Sequence, residues 1–190
     1  MPTDTAELVA AAKGGDSKAF AQLVQATSAA AYTLAYRLTG NEEDARDVVQ
    51  EAYLRAYKGL KRFRGDAQFS TWLYRITANC AKSHLSRRSS QRTEALDDEA
   101  PLVDERAETN PEHQADATLL RGRVDAALLE LPPKLRAVVV LRDIYDLPHD
   151  AIAEELGITE AAAKVRLHRA RRRLREQLFP VRGEEQAHAV

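Results

Sequence analysis

The chain has 190 residues, 44% of them apolar and 30% charged, with a formal net charge of −1. That length suits one ordinary domain or two small helical ones, and the apolar share can fill such cores. A single cysteine, Cys80, excludes an internal disulfide and offers no metal-ligand spacing, which fits a reducing cytoplasm.

Residues 1–16 lack a basic start followed by an apolar stretch, so no signal peptide is expected. The uncharged run 19–36 still carries Gln22, Gln25, Thr27, Ser28 and Thr33, too polar for a membrane span. Charge is unevenly placed. Residues 1–90 carry 13 Lys/Arg against 9 Asp/Glu, residues 91–130 carry 4 against 11, and residues 131–190 carry 11 against 9. Two mildly basic blocks flank an acidic stretch, an arrangement that suits a polyanionic partner or a solvated surface.

No period-2 strand pattern stands out, and Gly and Pro fall at boundaries, so an all-α fold is expected. A first helix is predicted over 17–38, stopping near Gly40. Asn41 then offers an N-cap, with Glu42, Glu43 and Asp44 at the positive end of a second helix reaching about Leu60. Its apolar stripe is Ala45, Val48, Val49, Ala52, Tyr53, Ala56, Tyr57 and Leu60. Asp47, Gln50, Glu51 and Leu54 then share the outer face. A leucine among acids and an amide marks either a protein-contact surface or an acidic solvated face, and periodicity alone leaves both open.

A basic turn, 61–65, leads to a third helix over 70–88 that buries Leu73, Ile76, Cys80 and Leu85. Phe63, Phe69, Trp72 and Tyr74 interleave with Lys61, Arg62, Arg64, Arg75 and Lys82. Positive charge tracks a phosphate backbone, and aromatic faces stack on unpaired bases. Phe69 is expected in the core, and Trp72 at its edge with a mixed duty. Thr71, Arg75, Asn79, Lys82 and Ser86 line the polar side, and the amide of Asn79 can both donate to and accept from a base edge.

From Ser89 to Asn110 the pattern dissolves into an acidic stretch with few large apolar residues, expected as a mobile linker. Helicity resumes at Pro111 and ends at Pro132 and Pro133; another helix is expected over 134–145. Two final helices, 149–156 and 160–179, surround the sequence IAEELGIT. Gly157 suits the left-handed exit of a tight turn, Ala153 is small at a helix crossing, Ile158 plugs the corner and Thr159 caps the next helix. This is helix-turn-helix grammar. The second of these helices carries Lys164, Arg166, Arg169, Arg171, Arg172, Arg173 and Arg175 against Glu160 and Glu176, as a helix entering a DNA major groove would. His168 is expected to pack or to touch phosphate.

DARDVVQEAYLRAY, then FRGDAQFSTWLYRITAN, then LPPKLRAVVVLRDIYDLPHDAIAEELGITEAAAKVRLHRARRRL resemble regions 2 and 4 of extracytoplasmic-function (ECF) sigma factors of the sigma-70 family, in family order. The resemblance implies two small helical bundles joined by a flexible acidic linker: region 2 over 1–90, linker over 91–110, region 4 over 111–180 and a tail over 181–190. It implies core RNA polymerase as partner, through the β′ clamp helices and the β flap, together with promoter DNA and an anti-sigma factor. Asp47, Gln50, Glu51 and Leu54 would dock on the β′ clamp helices. Lys61, Phe63, Arg64, Trp72, Arg75, Asn79 and Lys82 would hold the melted −10 strand. Thr159, Glu160, Lys164, Arg166, Arg169 and Arg171 would read the −35 duplex. The linker would thread toward the RNA exit path; the free factor would be autoinhibited or weak toward DNA, and core polymerase would hold the two modules apart at a fixed spacing. Ala161, Ala162 and Ala163 depart from the pattern, where a larger apolar residue often sits.

Two rivals stand beside this reading, and a third possibility, an all-helical adaptor without nucleic acid, fits the basic final helix poorly. A stand-alone helix-turn-helix regulator would bind palindromic duplex as a dimer, but leaves the aromatic–basic segment without a purpose. An enzyme is disfavoured: His84, His113, His149, His168 and His188 lack metal-ligand spacing, and no phosphate-binding loop or nucleophile motif appears. Neither cofactor, metal nor catalytic residue is expected.

Overall fold

The computed structural model describes the backbone of residues 5–94 and 115–179, and side chains over 5–88 and 119–179. The heart of the expected linker, 95–114, and the tail lie outside these. Among the described residues every regular element is helical. The first module comprises α1 (Thr5–Lys13), α2 (Ser17–Thr39), α3 (Glu42–Gly59), a 3₁₀ turn (Leu60–Arg62) and α4 (Phe69–Glu94). The second comprises α5 (Ala115–Glu130), α6 (Pro133–Val139), a π-helical turn (Val140–Ile144), α7 (His149–Leu156) and α8 (Glu160–Leu178). No helix among the described residues is long and apolar enough to cross a membrane.

Local chemistry sets the boundaries. The Asp16 carboxylate accepts from the backbone N–H of Lys18 and Ala19 and starts α2. At the other end, Gly40 takes φ 87°, and its N–H closes onto the Tyr36 carbonyl. Asn41 caps α3 through the Asp44 N–H, as its position predicts. Thr159 caps α8 through the Ala162 N–H.

Three elements differ from expectation. α1 was not anticipated; its Ala12 packs with Leu23, Leu60 and Phe69 in a satellite core at the outer end of the first module. α4 runs on to Glu94, past the point where apolar periodicity fades, because backbone hydrogen bonding propagates through residues that oppose a helix only weakly. The helix expected over 134–145 instead widens after Val139 into the π turn. Side chains differ too: Tyr57 and Leu85, expected inside, are 54% exposed and half-buried respectively.

The larger core is shared. Leu34, Ala35, Leu38, Val48 and Ala81 of the first module pack in one apolar cluster with Leu128, Val138, Leu141 and Ile152 of the second. At its edge lies Arg136, only 6% exposed, donating from one guanidinium nitrogen to the Leu38 carbonyl and from the other to the Leu129 carbonyl. These carbonyls sit in the last turns of α2 and α5, where helix dipoles present negative charge, so one cation stitches two helix ends from different modules. Its Nε is buried without a partner. A Cβ at Gly40 would meet this guanidinium at an ordinary contact distance of 3.5 Å, so the positive φ alone calls for glycine there.

The π turn supplies further cross-module contact. It turns Tyr145 toward α2, where the hydroxyl donates to the Ala30 carbonyl, and sets the ring edge-on to Tyr74 of α4 at 4.7 Å. Burial pushes the Tyr145 hydroxyl up to about 12, so it stays a donor throughout the physiological range. Arg37 of α2 pairs with Asp125 of α5 at 2.8 Å.

Because Leu34 and Leu141 belong to one core, each Leu→Ala change should cost about 2–5 kcal/mol and shift the same unfolding transition. Urea denaturation followed by helicity and by Trp72 fluorescence checks this; two separate transitions, each moved by one substitution, would contradict a common core.

Candidate nucleic-acid interface

The aromatic–basic segment folds as a wedge at the end of α4. Phe63 is 8% exposed and stacks at a tilt on Trp72 with ring centres 4.9 Å apart; Phe69, at 2% exposure, closes the triad 5.8 Å from Trp72. Phe69 is thus core, as expected, and Trp72 half-buried at the rim. Phe63, expected to serve the DNA strand, has its ring inside in this conformation. The flanking cations Lys61 and Arg64 stand exposed, Arg64 paired with Asp66 at 3.2 Å.

Along α4, Arg75, Asn79 and Lys82 recur at helical spacing and form a single polar face. That face is occupied. Arg75 donates to Glu155 at 2.7 Å and to Glu154 at 2.6 Å. Asn79 donates to the other Glu155 oxygen at 2.8 Å, and the Lys82 ammonium reaches the Glu155 carbonyl at 3.3 Å. The Glu155 residue is 9% exposed. Its carboxylate therefore accepts charge-assisted bonds on both oxygens, in the manner of a phosphate between an arginine and an amide. Both glutamates come from α7, the helix before the turn. Gly157 ends that helix at φ 62°, and a Cβ there would stand 3.0 Å from the Lys82 ammonium. Sequence reasoning placed the polar face of α4 correctly and missed its partner: Glu155 reads in sequence as one more helix-surface acid.

The helix-turn-helix is built as its grammar predicts. Ala153 is buried at the crossing, the Ile158 N–H donates back to the Ala153 carbonyl, and Ala163 packs at zero exposure against α6 and α7. Of the three alanines at 161–163 only Ala163 lies inside, where its small side chain permits a close crossing; Ala161 is exposed. On α8, Ala163, Leu167 and Ala170 face inward. Thr159, Glu160, Lys164, His168 and Arg169 are exposed, and Arg166 is half-exposed. Lys164 pairs with Glu160 at 2.7 Å, while Arg171 is held by both oxygens of Asp143 in the π turn, at 2.5 and 2.9 Å.

A third surface lies on α3. Asp47, Gln50 and Leu54 are exposed and Glu51 half-exposed, with Glu51 paired to Arg55 at 2.7 Å. The exposed Tyr57 ring adjoins Leu54 on the same side and meets Phe20 edge-on at 5.0 Å. Beside this face, α3 and α4 enclose a groove of about 820 Å³ with Asp44, Asp47 and Glu51 on one wall and His84, Arg87 and Arg88 on the other. Asp44 anchors it: its carboxylate takes bonds from Asn41 at 2.6 Å, from His84 at 2.8 Å and from Arg88. Burial alone would raise the Asp44 pKa, but those hydrogen bonds and the Arg88 charge outweigh it and hold the group below the ordinary carboxylate value. Burial also pushes the Cys80 thiol up, which disfavours the reactive thiolate.

The two modules match known families. Residues 17–91 match Sigma-70 region 2, and residues 121–174 match Sigma-70, region 4. The chain is thus of the sigma-70 class. It is 36% identical to the ECF RNA polymerase sigma factor SigE of Mycolicibacterium smegmatis, over 93% of this chain and 68% of that one. It is 35% identical to the ECF RNA polymerase sigma factor SigW of Bacillus subtilis, over 87% and 92%. Among solved structures, CnrH in complex with the cytosolic domain of CnrY is similar at a TM-score of 0.58 and 29% identity, over 90% of this chain and 94% of that one. The chain belongs to the ECF RNA polymerase sigma factors.

Asp44 has a lowered pKa, so its contribution to stability is present above the unfolded carboxylate value of about 4 and is lost as pH falls through its folded value. Asp44→Asn should therefore destabilise at neutral pH, with the deficit shrinking on acidification below about pH 4. Unfolding midpoints of both proteins across that range check this; a constant deficit would contradict it. Native Cys80 should also resist a thiol-specific reagent at neutral pH and react fully once the chain is unfolded; rapid native labelling would contradict its burial.

Proposed function

We propose that this sigma factor divides promoter recognition between its two modules and joins polymerase through a third surface. The N-terminal module, 1–90, captures the non-template strand of the melted −10 element. Arg75, Asn79 and Lys82 hold its backbone and base edges, Lys61 and Arg64 supply charge, and the Phe63–Trp72 pair gives an aromatic platform once the wedge opens. The C-terminal module, 111–180, reads the −35 element as duplex through Thr159, Glu160, Lys164, Arg166, Arg169 and Arg171, with residues near the start of α8 reaching base edges and later cations reaching phosphate. Asp47, Gln50, Glu51 and Leu54, joined by Tyr57, dock on the β′ clamp helices of core polymerase, and the second module meets the β flap.

One observation carries this reading: the polar face of α4 holds a buried carboxylate with the donor set a nucleic-acid strand would use. Selection of unpaired bases then couples specificity to strand opening, because binding energy on splayed bases accrues only to melted DNA. The chain acts as an initiation factor and performs no bond chemistry. CnrH is solved with the cytosolic domain of CnrY, and by analogy an anti-sigma partner controls this chain in the cytoplasm. The acidic linker, 91–110, occupies a nucleic-acid channel in place of RNA.

Run-off transcription with purified core polymerase on a genomic fragment library tests the function; specific start sites are expected, and none would end the proposal. Replacing Asp47, Gln50 and Glu51 together by alanine should abolish core binding with helicity unchanged, and intact binding would displace the docking surface. Lys164→Ala and Arg169→Ala should each weaken −35 duplex binding by about 1–3 kcal/mol where the side chain reads a base, or lower the salt dependence uniformly where it holds phosphate. Neither effect in filter binding across salt would remove α8 as reader.

A further inference from the structure

α8 turns one face to its own module and the opposite face to solvent. Ala163, Leu167 and Ala170 are buried. At about 100° per residue, Ala161, Val165, His168 and Arg172 fall within about 60° of arc on the far side, and each of them is exposed. Lys164 and Arg169 flank that arc, each about 40° beyond one edge. Two residues of the arc do not fit a merely solvated surface. Val165 is 50% exposed on a strongly cationic helix. A β-branched residue is a weaker helix former than alanine or lysine, and without burial it adds nothing to the fold. Ala161, one turn earlier, carries only a methyl group. A single exposed apolar side chain needs no explanation in general. Val165 differs by its place, between two cations on the outward face of the helix after the turn.

From this we infer that Val165 is a specificity-determining residue whose isopropyl group packs on the C5 methyl of one thymine in the −35 duplex. The inference rests on the assignment of α8 as duplex reader proposed above. A helix lying in a major groove turns the face opposite its own core toward the base edges, and the residues beside that face toward the two backbones. Lys164 and Arg169 are then placed for phosphates on either wall, and the arc between them for bases. Lys164 is paired with Glu160 at 2.7 Å, but both side chains are more than half exposed. Such a pair is weak, so a phosphate can take the place of the carboxylate at small cost. The apolar group on the major-groove edges is the thymine methyl; the other groups are donors and acceptors that a valine cannot satisfy. A polar edge held against Val165 would lose water and gain no partner. The valine side chain is short, so the backbone of α8 must come close to the bases. Ala161 permits that approach, where a longer residue one turn earlier would hold the helix away. Val165 therefore selects an A·T pair, in one orientation, at one position of the element.

The test deletes the methyl group from the DNA and the isopropyl group from the protein, separately and together. A promoter found by run-off transcription supplies the duplex, and each thymine of its −35 element, on either strand, is replaced in turn by deoxyuridine. That change removes the C5 methyl and leaves base pairing intact. Competition binding is measured with full-length chain assembled on core polymerase, for the parent, Val165→Ser and Lys164→Ala, with helicity of each chain as the check on folding. At one thymine the parent should lose about fourfold in affinity on going to deoxyuridine, the worth of one buried methyl group. Val165→Ser should bind the thymine and deoxyuridine duplexes alike at that position. Lys164→Ala should bind both more weakly and keep the parent's ratio between them. A −35 element without thymine, equal binding to thymine and deoxyuridine at every position, or a ratio that survives Val165→Ser would overturn the inference while leaving α8 as the duplex reader. If Val165→Ser, Lys164→Ala and Arg169→Ala all bind the promoter as the parent does, the reading of α8 itself fails, and the inference with it.

Discussion

The carboxylate of Glu155 lies between the guanidinium of Arg75 and the amide of Asn79, and the arrangement of the whole chain follows from that contact and the apolar cluster behind it. A cationic face on a helix must either remain solvated or find an anion. Here the anion comes from α7, the helix before the turn, which brings the second module onto the first. Ion pairs near a surface are weak individually. This one is supported by the shared core, by Tyr145 on the Ala30 carbonyl and by Arg136 between two helix ends. The buried Nε of Arg136 has no partner, so the joined state carries an uncompensated desolvation cost.

The outer face of α3 and the residues Lys164 and Arg169 of α8 stand exposed, whereas Arg75 and Asn79 on α4 are engaged by Glu155. Charge alone does not explain this, since α8 is the more cationic helix. Shape contributes: α7 is short and ends at Gly157 in the left-handed conformation, and the Lys82 ammonium lies close over that turn. Arg171 is likewise held within its own module, bidentate on Asp143 from the π turn.

Much of this was legible in the amino-acid sequence. Asn41 and Thr159 as caps, Gly157 as the left-handed exit and the Asp47–Leu54 face all follow from local rules, and local rules act wherever the residues are. The polar face of α4 was legible for the same reason. Its occupant was not, because pairing Arg75 with Glu155 is a long-range fact between two surfaces that each read as solvated. Arg136 left one signal, a lone cation in the apolar run LRAVVVL, which indicates a buried charge without indicating its carbonyls. The π turn leaves none, since Val140–Ile144 continues the helical pattern. Tyr57 was assigned to the inner stripe by periodicity, but the edge contact with Phe20 leaves it at the rim.

The central claim is that a glutamate on α7 holds the place of the promoter strand on α4. It is tested most directly by the affinity of the free chain for single-stranded DNA carrying its −10 sequence, measured with and without Glu154→Gln and Glu155→Gln. The account predicts tighter binding by the doubly substituted chain, with unchanged affinity for duplex −35 DNA. Equal or weaker single-strand binding, in a protein of unaltered helicity, would contradict it.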